Sequence, residues 1–93
     1  MEEVEGSIFD GGTVVVAGTT VLLDVLDTVA GSSDGIGWHA HVALPLGMVL
    51  EPGRQMRLET ADGRSGSVAL LEAPKTVGDR VLYVLTGLGP LAA

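Results

Sequence analysis

Alternation of apolar and polar residues on either side of Asp62 and Gly63 limits this chain more than any other feature. Met56 and Leu58 alternate with Arg57 and Glu59 before the pair, and Gly66, Val68 and Leu70 alternate with Ser65, Ser67 and Ala69 after it. Such period-two patterning marks half-buried strands, and two runs separated by a short polar connection make a hairpin. Parity then selects the turn. A two-residue loop would set Leu58 against Ser67 and Arg57 against Val68, mixing apolar and polar side chains on each face, because a one-residue slip sends every side chain to the opposite face. A three-residue loop of Ala61, Asp62 and Gly63 instead sets Thr60 against Arg64, Leu58 against Gly66 and Met56 against Val68, with Glu59 against Ser65 and Arg57 against Ser67 on the other face. That register makes Ala61 and Asp62 the centre of a type I turn. It puts Gly63 at the left-handed position that follows, where lacking a Cβ avoids a cost of about 1 kcal/mol.

The rest of the chain is punctuated in the same way. An acidic, frayed start at 1–5 leads to an apolar run at 7–9, and Asp10, Gly11 and Gly12 offer a tight turn into a β-branched strand at 13–17, which Gly18 ends. Trp38, Ala40, Val42 and Leu44 share one face of a strand at 38–44, with His39, His41 and Ala43 on the other. Pro52 and Gly53 suit a type II turn before the hairpin. In the last strand, 80–86, Val81, Tyr83 and Leu85 point one way and Leu82 and Val84 the other. Both faces are apolar, which predicts a central position. Segments 31–37 and 73–79 are expected to be exposed loops.

Two readings of 19–30 stay open. As a helix it has a stripe of Val21, Leu22, Val25, Leu26 and Val29, with Thr20 to cap it and Gly31 to end it. As a strand it has the β-branched content of Thr19, Thr20, Val21, Val25, Thr28 and Val29, which favours the strand. The fold expected is therefore all-β: a small single-domain barrel or sandwich over 1–93, with six to seven short antiparallel strands and 20–30 the one place for a short helix. A barrel is preferred because closure removes edges that so apolar a chain could not leave open. The short strands and the Pro52, Gly53 turn before the Asp62, Gly63 hairpin are similar to those of SH3-like and translation-factor barrels, a likeness that implies fold alone.

At 93 residues the chain supports one modest core, yet 46 % of it is hydrophobic and only 18 % charged. Apolar surface is left over, which predicts a homo-oligomer or a protein partner. The net charge of −7 lies entirely in the first half: Glu2, Glu3, Glu5, Asp10, Asp24, Asp27 and Asp34 precede any Lys or Arg. From Glu51 onward each of Arg54, Arg57, Arg64, Lys75 and Arg80 has an acid nearby in sequence. An acidic chain repels phosphate, so nucleic acid and anionic membranes are not expected as partners, and the excess charge is read as solubilising. There is no cysteine. The start has acids where a secretory signal needs bases, and no apolar run approaches the roughly 18 residues of a membrane span, so a cytoplasmic location is expected.

The chemistry-bearing residues are few. His39 and His41, the only histidines, share a strand face at i and i+2, a spacing from which two imidazoles can reach one divalent metal. That spacing resembles the opening of the first motif of the cupins, small β-barrels, and the resemblance implies a metal or small-ligand site at this pair; the 31–37 loop offers Asp34 as an extra ligand. The rest of that motif is absent. The next acid after His41 is Glu51, ten residues on, and two imidazoles fall short of the three protein ligands usual in catalytic zinc sites. Two half-exposed histidines on a sheet face are the favoured reading. Ser7, Ser32, Ser33, Ser65 and Ser67 form no nucleophile pattern with a histidine. These residues point to a non-catalytic β-barrel module that self-assembles or binds protein, with Trp38, Tyr83 and Phe9, its only aromatics, as candidate anchors and without a cofactor. The alternative is the metal- or ligand-binding barrel built on His39 and His41.

Overall fold

Seven strands form among the residues that the computed structural model describes, which are 2–26, 37–89 and 91–92. They are β1 (Glu2–Asp10), β2 (Thr13–Leu26), β3 (Gly37–Pro45), β4 (Gln55–Thr60), β5 (Ser65–Leu70), β6 (Lys75–Val77) and β7 (Arg80–Gly87). Each neighbouring pair is antiparallel. The order β1–β2–β3–β7–β5–β4 returns to β1, giving a closed six-stranded barrel, and β6 adds to the part of β7 that β5 leaves free. Closure runs through β3 and β7, in register from His39 opposite Thr86 to Pro45 opposite Arg80, and through β1 and β4, from Gly6 opposite Thr60 to Phe9 opposite Arg57. The all-β fold expected from the sequence is the one observed, as a barrel and not a sandwich. No helix among the described residues is long and apolar enough to cross a membrane.

The β4–β5 hairpin has the register that parity demanded, with Leu58 opposite Gly66, Met56 opposite Val68 and Arg57 opposite Ser67. Thr60 N–H donates to Arg64 C=O at 2.8 Å, which closes the three-residue loop, and Gly63 has φ 96°.

Three expectations are corrected. Gly18 does not end a strand: β2 runs on through it to Leu26, which bears out over 19–26 the strand reading favoured for that segment. Gly18 takes φ 58° inside a bulge, where the register with β1 jumps between Gly6 and Ile8, and its N–H donates to Ser7 Oγ at 3.0 Å. A bulge bends one strand so that it serves two sides of a small barrel, and only glycine takes this backbone without strain. The helix reading beyond Leu26, and Asp34, lie outside the described residues. Next, Glu2–Glu5 are not frayed: they are the first residues of β1, paired with β2 from Glu2 opposite Leu23 to Glu5 opposite Thr20. Finally, 73–79 contains β6, joined to β7 by a two-residue turn in which Gly78 has φ 61°.

Ile8, Val21, Leu23, Leu44, Leu58 and Leu85 form the centre of a core fed by alternate residues of the barrel strands. Two aromatics lock its ends. Tyr83, 2 % exposed, donates its hydroxyl to Met48 C=O at 3.0 Å and accepts from Leu50 N–H at 3.4 Å, holding Leu50 in the core. Trp38, also 2 % exposed, donates Nε1–H to Gly89 C=O at 2.7 Å. Its ring lies on Gly87, where a Cβ would stand 2.4 Å from Cε2 and Nε1. Glycine is required at Gly87 by space, not by dihedral angle.

Candidate interaction surface

The alternation that buries Val21, Leu23, Trp38, Ala40, Val42, Tyr83 and Leu85 turns their neighbours outward, and across β2, β3 and β7 these align in rows. Glu3, Leu22, His41 and Val84 form one row across β1, β2, β3 and β7. Ala43, Leu82 and Lys75 form a second across β3, β7 and β6. Asp24, His39 and Thr86 form a third. The result is an open groove of about 810 Å³. Its floor is Leu22, His41, Ala43, Leu82 and Val84, and its charged rim is Glu3, Glu72, Lys75 and Arg80. Leu22 is 37 % exposed and Leu82 40 %, so aliphatic surface is open on both sides of His41.

Electrostatically the groove is unfinished. Of the five basic residues, Arg54 pairs with Asp10 and Glu51, Arg57 with Glu59, and Arg64 with Glu2 and Asp62. Lys75 and Arg80 form no ion pair among the described residues, although Glu72 and Asp79 lie close to them in sequence. Among those residues His41 also carries the one buried side-chain polar atom without a hydrogen-bond partner, its Nε2. Such an orphan costs about 1–3 kcal/mol.

The opposite side of the barrel is finished. Arg64 donates Nη1–H and Nη2–H to the Glu2 carboxylate at 2.9 and 2.8 Å, and Nε–H and Nη2–H to Asp62 Oδ2 at 3.1 and 2.7 Å. Hydrogen bonds from Arg64 and then from the Thr60 hydroxyl hold Asp62 down at about 2, and the Arg64 hydrogen bonds lower Glu2. The two carboxylates in turn raise Arg64, Glu2 contributing most. This cluster ties the start of β1 to the hairpin turn.

His39 and His41 do point to the same side of β3, as their spacing predicts. Asp24 is in register with His39, yet among the described residues no group of three His, Asp or Glu is placed to hold a metal ion. Trp38 and Tyr83 are spent on the core, so neither is free to anchor a partner. Phe9 is half-buried on the other side of the barrel, in register with Arg57. Sequence reasoning missed Leu22, Leu82, Lys75 and Arg80. The signal was the pair of apolar faces on 81–85, read as double burial; the outward one is partly exposed.

No protein-family model, no curated protein and no solved structure matches this chain.

Proposed function

We propose that this chain is a non-catalytic β-barrel module that works by protein contact, in the first instance self-assembly, through the outer face of β2, β3 and β7. The observation that carries the proposal is the groove over Leu22, Ala43, Leu82 and Val84, rimmed by the two basic residues without ion pairs. A surface with exposed aliphatic residues at its centre and uncompensated charges at its rim has the anatomy of a protein interface. The serine chemistry supports the non-catalytic part: Ser7 Oγ accepts from Gly18 N–H, and Ser65 Oγ accepts from Arg57 Nη2 at 2.7 Å, both structural roles. The acidic balance argues against phosphate-bearing partners, nucleic acid or membrane.

Leu82→Asp tests it. A charge in the middle of an interface removes a hot-spot contact of about 2 kcal/mol or more, so sedimentation velocity is expected to show association weakened about 30-fold. The circular dichroism spectrum stays that of the folded barrel. Association unchanged by the substitution would place the contact elsewhere.

A further inference from the structure

We propose that the partner of this face is a second copy of the chain, related by a two-fold axis that lies in the interface and runs along β3. The inference rests on the reading of the groove as a contact surface and adds which surface meets it. Its basis is the order of charges across the face. Glu3 and Glu5 project outward from β1, at one edge, opposite Leu22 and Thr20 of β2. Lys75 of β6 and Arg80 of β7 project from the other edge, and Lys75 shares a row with Leu82. Between them lie Leu22, His41, Ala43, Leu82 and Val84, with no Lys or Arg. None of Glu3, Glu5, Lys75 and Arg80 forms an ion pair within the chain among the described residues, and Glu72, at the basic end, forms none either.

A face that is acidic at one edge, apolar at the centre and basic at the other edge is complementary to itself. Rotation by a half-turn about an axis along β3 keeps each row level and exchanges the edges. Glu5, level with Thr20 and so with the row of Ala43 and Leu82, then faces Lys75 of the other copy, twice over, as an isologous contact requires. Leu22 of one copy meets Val84 of the other, on either side of His41. The β6–β7 arm, with Val77 50 % exposed, lies along the partner's β1 edge. A copy turned about an axis across the strands would set like charges together at a cost that selects against it. The area required is within reach: a stable interface takes about 800 Å² from each partner, roughly a seventh of this chain's 5512 Å².

The test is a charge exchange on the full chain, read by native mass spectrometry and sedimentation. One variant carries Lys75→Glu and Arg80→Glu, the other Glu3→Lys and Glu5→Lys. Each alone is expected to associate about tenfold or more weakly than wild type, because like charges now meet at both edges. An equimolar mixture is expected to recover a dimer, with the heterodimer mass dominant. On wild-type protein, zero-length carbodiimide coupling in a mixture of isotopically light and heavy chains is expected to join Glu3 or Glu5 of one copy to Lys75 of another. That second measurement stands even if a variant fails to fold. Association that survives both reversals, with no preference for the heterodimer and no such cross-link, overturns the two-fold arrangement. If Leu82→Asp still dissociates that assembly, the contact face stands without its symmetry; if it does not, the face falls too. A wild-type chain that stays monomeric at high concentration overturns both.

Discussion

The half of the barrel made by β1, β4 and β5 and the half made by β2, β3 and β7 draw on the same core and end in different surfaces. On the first, three arginines are all paired, Arg64 with two carboxylates at once, and the outward residues of β4 and β5 include Arg57, Glu59, Ser65 and Ser67. On the second, exposed Leu22 and Leu82 stand beside Lys75 and Arg80, and among the described residues neither of these has an ion pair and buried His41 Nε2 has no partner. Surface ion pairs contribute little stability, so the contrast says less about how firmly each half is held than about what each can touch. One half meets water with its arginines paired. The other leaves apolar area and charge uncompensated, which a partner can cover and pair.

The largest effect is expected where the halves join. Gly87 is opposite Val68 of β5 and beneath the Trp38 ring, at the seam between β7 and β5. Gly87→Ala must displace a buried indole that also holds Gly89 C=O. Overpacking of this kind costs up to about 3 kcal/mol. For a domain of this size that lowers Tm on the order of 15 °C, measurable by thermal circular dichroism. Because the core is common, both halves loosen together in hydrogen exchange. An unaltered Tm would mean that Trp38 has another place to go.

How much of this was legible in advance follows from the physics of each element. The hairpin around Asp62 and Gly63 could be derived to the residue, because parity and one left-handed glycine leave a single register that separates apolar from polar faces. Gly18 misled, because a glycine that bends a strand through a bulge and one that ends it look alike without knowledge of the partner strand. β6 carries no period, being three residues long, although Gly78 and Asp79 before Arg80 are a two-residue hairpin signal. The groove could not be read because one strand's pattern does not say which of two apolar faces its neighbours will cover. β7 has β3, β5 and β6 beside it, yet among the described residues Leu82 stays 40 % exposed.

A pair of matched substitutions would break the comparison most directly. Leu82→Asp on the open half and Ser67→Asp on the closed half each add one carboxylate to an outward position of the barrel. The first is expected to weaken association about 30-fold, as a lost interface hot spot does. The second is expected to leave it unchanged, since Ser67 faces the side whose charges are already paired. Equal losses in sedimentation would show that added negative charge alone, on a chain already at −7, drives the copies apart.

The smallest expected effect concerns acid, and it belongs to the closed half. Asp62 sits near 2 and Glu2 is lowered, both chiefly through hydrogen bonds from Arg64. A carboxylate whose folded value lies below its unfolded one contributes stability that is present above the unfolded value and is lost as pH falls through the folded one. The Glu2, Arg64 and Asp62 cluster therefore supports the fold above the ordinary carboxylate values of 4.5 and 3.8 and gives way on the descent to about 2. Arg64→Ala is expected to lower the urea midpoint slightly at neutral pH, with the gap from wild type closing across that window and narrowing in high salt, because these groups are exposed. Lys75→Ala with Arg80→Ala, which removes no ion pair among the described residues, is expected to leave the monomer's acid profile where it was. If it shifted that profile as Arg64→Ala does, Lys75 and Arg80 would be paired in solution, and the electrostatic difference between the two halves would disappear.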